Sequence, residues 1–505
     1  MGEDTLGKRY SFKLISNLIS FLLSFITAGI IPRSLGVENY GNFNFVTTII
    51  NQIVTLLDFR ASTWFFTKLS QKQNDGVLPN FYFYYLTLVF FLSITLSTII
   101  VITPLKNIIF PDQTNIIIFF SLMLIFLTWY ADLFIRILDA KGQTVILEKQ
   151  RMFNKILSTI FLFGLFYFSQ LNLNTYFYLQ YFLLVFLIII LYNNSNIGIQ
   201  LFSFSRFLVG VRKGCFKSFI YYASPLGVYV ILQFIQTVFD RWLLQKFGGS
   251  FEQGLYSFSF NLTNFCFLFI TALIPLFTRE LSVFIGAKDI NRSAILFRRY
   301  VPLLYAITAF FCAFIFIEVR EIITIFGGKE YIQASLPLRI LAFYPLISAY
   351  SNLNGSVIYA NGRTDIFLKI GWIFTPLSMV ISLLLINKNI LGVQLGATGL
   401  AIKNVFLELF SVIIILKINT KYLNLNFKKF VVHMLFSLVP FIVLAWISNF
   451  LTSILVIVSN TFFLILVSGV FYTTLVFLLV LIFPELLGIN KLIIKDYLHK
   501  FRKLF

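Results

Sequence analysis

LGVENYGNFNFVTTIINQI at residues 35–53 and GGSFEQGLYSFSFNLTNFC at residues 248–266 read as one motif written twice. At a constant offset of 213 residues, with no gap, Gly36 falls on Gly249, Gly41 on Gly254 and Asn51 on Asn264. In the same frame Phe43 falls on Tyr256, Phe45 on Phe258, and the basic residue ahead of each glycine turn, Arg33, on Lys246. A repeat of this length constrains the architecture more tightly than any single motif.

The chain that carries the repeat is apolar throughout. Of its 505 residues, 59% are hydrophobic, 18% aromatic and 12% charged, where a soluble protein carries about a quarter charged residues. The mean hydropathy is +0.88. Apolar stretches of about 20 residues, the length that crosses a bilayer, fall at 11–32, 40–66, 81–103, 114–138, 152–170, 174–192, 219–246, 254–278, 296–317, 333–360, 364–386, 396–416, 430–450 and 454–483. The expected fold is all-α, a polytopic membrane protein of about fourteen transmembrane helices. Span 1 matches span 7 and span 2 matches span 8. Six spans separate the copies, an even number, so both point the same way. Two six-helix bundles related by a pseudo-two-fold axis along the membrane normal follow, with two further helices at the C-terminus. The expected segments are an N-terminal bundle at 1–192, a cytoplasmic linker at 193–218, a second bundle at 219–416, and the extra helices with a basic cytoplasmic tail at 417–505. No connection is long enough for a folded catalytic domain, so an enzyme is not expected.

The net charge is +20. With the N-terminus in the cytoplasm, inside segments hold 26 Lys and Arg; the outside holds 7, counting Arg241 and Lys246 at the outer end of span 7, and the spans hold the other 7. The excess is thus explained by the positive-inside rule rather than by nucleic-acid binding. Both termini are expected in the cytoplasm, with the first span uncleaved. The cysteines (Cys215, Cys266, Cys312) and histidines (His433, His499) are scattered, and no metal or cofactor set is expected.

Uncharged polar residues fall in rows. On span 2, Asn44, Thr48, Asn51, Thr55 and Asp58 lie within an arc of about 80°; their partners on span 8 include Ser257, Asn261 and Asn264. On span 7, Tyr229, Gln233, Gln236 and Asp240 make one face, matched on span 1 by Ser16, Ser20, Leu23 and Thr27. Amides are costly in hydrocarbon, so these rows point to a water-filled cavity; the competing reading is interhelical hydrogen bonding. Asp58, Asp132 and Asp240 are candidates for binding a coupling proton or Na⁺, with a structural ion pair as the alternative for each, as Asp132 and Arg136 are spaced i, i+4. Arg136, Arg241 and Lys403 are candidates for an anionic ligand. Arg33 and Lys246, each three residues before a turn glycine, sit where a basic residue favours the helix end; an outer gate is the other reading.

RSLGVENYGNFNF (33–45), LLDF (56–59), FDRWLLQKFGGSFEQGLYSF (239–258), LIPLFTREL (273–281), the stretch from IITIFGGKEY to YANGRTD (322–365) and GVQLGATGLAI (392–402) together resemble the multidrug/oligosaccharidyl-lipid/polysaccharide exporter superfamily. Within it they are most similar to bacterial polysaccharide flippases of the O-antigen and capsule type. Arg60 departs from the pattern, which favours a small residue after the Asp-Phe pair. The resemblance implies an alternating-access carrier in the bacterial cytoplasmic membrane. Its cargo would be an undecaprenyl-pyrophosphate-linked oligosaccharide, with H⁺ or Na⁺ as counter-ion, membrane lipids around it, and a glycan polymerase and glycosyltransferases as pathway partners. Arg136, Arg241 and Lys403 would then meet the pyrophosphate. A multidrug antiporter and a peptidoglycan-precursor flippase share the implied fold and stay open. A membrane glycan polymerase or glycosyltransferase fits less well, because no outer loop is long enough to carry an acid–base site.

Overall fold

A computed structural model describes residues 6–71, 76–194, 204–212, 214–363, 365–388, 393–455 and 460–484. The basic tail and most of the polar part of the linker lie outside the described residues. Every regular element among the described residues is helical, and ten helices are long and apolar enough to cross a membrane.

Two helices are far longer than a bilayer: Leu6–Asp58, with 53 residues, and Cys215–Thr263, with 49. Run straight, either would exceed about 70 Å, more than twice the ~30 Å hydrocarbon core. Each breaks at its repeat glycine. Gly36 has φ 73° and ψ 168°, and Gly249 has φ 69° and ψ −171°. This region is essentially reserved for glycine and costs other residues about 1–3 kcal/mol. The two copies of the motif therefore make the same turn at the same position, and each long helix is two spans joined there.

The second glycine of the motif does different work. A Cβ on Gly41 would stand 1.9 Å from the Ser250 carbonyl oxygen, and a Cβ on Gly254 would stand 2.1 Å from the Val37 carbonyl oxygen. Ser250 is the offset partner of Val37. The contact is thus reciprocal, each glycine admitting the backbone of the other copy.

By compactness the chain divides into two units, Met1–Gly254 and Leu255–Phe505. The core of the first gathers Trp64, Phe65, Phe81, Tyr82, Leu133 and Phe219. Its seventh span is held at both ends. Phe59 lies over Gly227, where an added Cβ would come within 2.0 Å of the ring, and Trp242 donates its Nε1–H to the Ile108 carbonyl at 2.5 Å. Part of the linker is a short helix, Phe204–Arg212, which docks by stacking Phe207 on Phe81 at 5.9 Å.

The second unit packs Phe277, Phe297, Tyr305, Tyr350 and Val412 into its core. The C-terminal helices Phe427–Phe436, Val439–Leu455 and Thr461–Ile482 belong to that core, and Phe441, Ala445 and Tyr472 enter it. Tyr472 stacks on Phe310 at 4.9 Å and donates its hydroxyl to the Phe310 carbonyl at 2.9 Å. Tyr305 donates to the Met434 carbonyl. Spans 13 and 14 are therefore packed elements of the second unit.

Candidate functional site

The polar rows are partly exposed. In the first unit Asn51 and Gln233 are exposed, while Asn44, Thr48, Thr55, Tyr229 and Gln236 are half-buried. Several satisfy themselves locally: Asn44 Nδ2 donates to the Tyr40 carbonyl at 2.7 Å, Thr55 Oγ1 to the Asn51 carbonyl at 2.7 Å, and Gln233 Nε2 to the Tyr229 hydroxyl at 3.1 Å. In the second unit Asn261 and Asn264 are exposed; Ser257 is buried. The helix itself breaks at this level. It ends at Thr263, passes through a 3₁₀ turn at Asn264–Phe267 and resumes at Leu268. Irregular backbone at membrane depth is tolerated where protein covers it or water reaches it.

The three acids have different surroundings. Asp58 is buried and sits just before two consecutive left-handed residues, Phe59 (φ 46°) and Arg60 (φ 67°). Its carboxylate accepts from the Ser62 backbone N–H at 3.2 Å, the Ser62 hydroxyl at 2.9 Å and the Tyr82 hydroxyl at 3.2 Å. Asp58 thereby caps the helix Ala61–Gln71, as an aspartate does at a helix start. The left-handed break at 59–60 places Arg60 where the resemblance expects a small residue, and leaves its Nε buried without a hydrogen-bond partner. Asp132 is 48% exposed and is bound by Arg136 Nε at 2.9 Å. Asp240 is buried on the seventh span.

The basic candidates hold partners of their own. Arg136 is engaged by Asp132, with 31% of its side chain still exposed. Arg241 donates to Gln253 Oε1 at 3.1 Å, and Gln253 Nε2 returns a bond to the Arg241 carbonyl at 2.5 Å. This pair braces the turn at Gly249 from both sides. Lys403 is wholly buried, with its Nζ 3.1 Å from the Ser378 hydroxyl.

At the glycine turns Arg33 and Lys246 are exposed, with Lys246 over the Trp242 ring at 4.7 Å. The polar contacts that tie the turns together lie one layer further in. Gln113 Nε2 donates to Asn42 Oδ1 at 2.7 Å, Ser250 donates to the same oxygen, and Gln245 Nε2 donates to the Ser250 hydroxyl at 3.0 Å. Ser250 follows the turn glycine Gly249 and Asn42 follows the close-contact glycine Gly41, so both lie within reach of the repeat. Gln113 lies in a connection whose sequence says nothing of its destination.

Glycine turns in both copies and polar rows on two long, broken helices define a polytopic all-helical fold with an internal repeat. No protein-family model matches the chain, and no curated protein matches it in sequence. Solved structures do share the fold. One is the lipid II flippase MurJ in an inward closed conformation (TM-score 0.60, 14% identity, 94% of this chain and 99% of that one). Another is an inward-facing multidrug resistance transporter of the MATE family (TM-score 0.59, 14% identity, 81% of this chain and 95% of that one). A third is a MOP superfamily transporter from Pyrococcus furiosus (TM-score 0.53, 14% identity, 82% of this chain and 95% of that one). At these identities the likeness establishes the fold.

Proposed function

We propose that the protein is an alternating-access carrier for a lipid-linked oligosaccharide, moving an undecaprenyl-pyrophosphate-linked glycan from the cytoplasmic to the outer leaflet of the bacterial inner membrane. The observation that carries this reading is the exposure of Asn51 and Asn264, one amide placed at the same position in each copy of the repeat. A glycan needs many hydroxyl partners, which amides and hydroxyls supply. Among the neighbours, the alignment to the lipid II flippase takes in 94% of this chain against 81% for the multidrug transporter, which favours a lipid cargo over a drug. Arg136, with part of its guanidinium exposed beside Asp132, is the best placed of the basic candidates for the pyrophosphate.

The direct test uses proteoliposomes loaded with a fluorescent undecaprenyl-pyrophosphate oligosaccharide. The share of label open to external dithionite should rise with the protein present and an H⁺ or Na⁺ gradient imposed. Ethidium extrusion without any movement of the labelled lipid would instead establish the multidrug antiporter.

Two further results are expected. Single cysteines at Gln233 and Asn264 should react with a membrane-impermeant thiol reagent, while cysteines at Ile231 and Leu276, both apolar and exposed, should not. Equal labelling at all four positions argues against a wet face. Asp240→Asn should reach the membrane in normal amounts and lower transport by about tenfold, the effect of roughly 1.4 kcal/mol on a coupled step. Full transport in this variant removes Asp240 as the coupling acid.

A further inference from the structure

The first unit contains a cleft of about 460 Å³ that the transport reading does not use. Three helices wall it. Ser20, Ser24 and Thr27 line it from the first span; Arg151, Asn154 and Lys155 face them from the helix Thr144–Tyr167; Leu173–Asn194 closes the third side with Leu183 and Leu187 beyond the polar Tyr176 and Gln180. The spacings i, i+4, i+7 on the first span and i, i+3, i+4 on the second put each set on one helical face. The row expected to look into a shared cavity thus turns, at Ser20 and Thr27, toward helices of its own unit.

The groups in this cleft are incompletely satisfied. Arg151 pairs at 3.2 Å with Glu148, whose side chain is 1% exposed. Lys155 is half-buried, and no carboxylate lies within ion-pair distance of it among the described residues. Next to it, Asn154 Oδ1 is buried without a hydrogen-bond partner. A cation short of a counter-ion, an acceptor short of a donor and a leucine wall meet in one cleft. A ligand that answers all three carries negative charge, a hydroxyl or amine, and hydrocarbon.

We propose that this cleft binds the phosphate ester of a lipid. The phosphate meets Lys155 and Arg151, a hydroxyl of the headgroup donates to Asn154, and the chain runs along Leu183 and Leu187. Cations with several donors are the usual partners of phosphate oxygens. Two sources carry this chemistry: an anionic glycerophospholipid such as phosphatidylglycerol, whose headgroup hydroxyl is the donor, or a polyprenyl phosphate of the cargo type, whose singly ionised phosphate keeps a P–OH as the donor. The plain alternative is a lysine that snorkels toward the membrane surface, which predicts no selectivity among lipids.

The test reads lipid binding and no transport, so its failure and that of the carrier reading are separate. The purified full-length chain is mixed with phosphatidylglycerol, undecaprenyl phosphate or phosphatidylcholine, and bound lipid is counted by native mass spectrometry. One of the two phosphate lipids should be retained over phosphatidylcholine, and the one retained names the source. Lys155→Gln should weaken that retention about tenfold, the loss of one charge-assisted hydrogen bond, and Lys155→Arg should restore it. If phosphatidylglycerol is the ligand, Asn154→Leu should erase its advantage over phosphatidic acid, which lacks the headgroup hydroxyls. Equal retention of all lipids, or unchanged retention in Lys155→Gln, overturns the proposal.

Discussion

Gly41→Val is expected to abolish transport and to lower the yield of folded protein in the membrane, and Gly254→Val should do the same. The reason lies in which atoms are touched. Even an alanine Cβ at Gly41 would sit 1.9 Å from the Ser250 carbonyl oxygen and 2.8 Å from the Gly254 backbone nitrogen. A side chain in the way could rotate aside; a helix backbone cannot, so the two repeat copies must separate. Overpacking of a close contact typically costs 1–3 kcal/mol, and valine at this crossing should reach the upper end, about 3 kcal/mol. Separation would also stretch the Ser250–Asn42 and Gln113–Asn42 hydrogen bonds beside it. Gly164→Ala is the control: nothing lies within 4 Å of its added Cβ, and alanine favours the helix by about 1 kcal/mol. The two should part clearly in a thermal aggregation assay of membranes. Wild-type stability and transport in Gly41→Val would mean that the crossing is neither tight nor required.

This contact shows how far the sequence could be read. The constant offset gave the turn glycines, their shared backbone conformation and the pairing of spans 1 and 2 with 7 and 8, because a duplicated turn needs the same rare residue twice. It could not say that Gly41 and Gly254 touch, since a close approach leaves only a missing side chain as its trace. Periodicity placed Ser20 and Thr27 on one face, but it carries no information about which neighbour that face meets. Asp58 was legible as an acid at the end of a polar row and a candidate for binding a coupling ion; its burial was not. Its capping role depends on a left-handed break at Phe59 and Arg60, residues that seldom adopt that conformation and so gave no signal.

The C-terminal spans illustrate the same limit. Residues 430–450 and 454–483 are almost uniformly apolar in sequence, yet Asn449 and Ser468, with Ser448 beside them, add a polar attachment to the second unit. They form no row along a helix face, and short hydroxyl side chains commonly satisfy themselves on their own helix, as Thr452 does on the Ser448 carbonyl at 2.8 Å. Glu318, the partner of Asn449 and Ser468, lies more than a hundred residues upstream. A single sequence offers no way to connect a glutamate at the end of one helix with two isolated polar residues in others.

Glu318→Ala should therefore loosen the last two helices from the second unit while leaving the first unit intact. Glu318 is 2% exposed and lies between the helices Ile290–Ile317 and Val319–Phe326. One carboxylate oxygen accepts the Ser468 hydroxyl and the other accepts Asn449 Nδ2 at 3.0 Å. Ser448 adds a bond to the Ser468 carbonyl at 2.5 Å, joining the two C-terminal helices to each other. Burial holds the Glu318 carboxyl above the usual carboxylate range, opposed by the Ser468 and Asn449 donors. Alanine would leave both donors unsatisfied in a dry site, at about 1–3 kcal/mol each. Hydrogen–deuterium exchange should then rise in 439–455 and 461–482 and stay unchanged in 144–167. The combined variant Glu318→Leu, Asn449→Leu, Ser468→Ala separates a clamp from simple loss of a large side chain. Removing all three polar partners together should recover most of the stability, so its exchange should return toward wild type. A triple variant at least as loose as Glu318→Ala would show that shape, and not the hydrogen-bonded carboxylate, holds these helices in place.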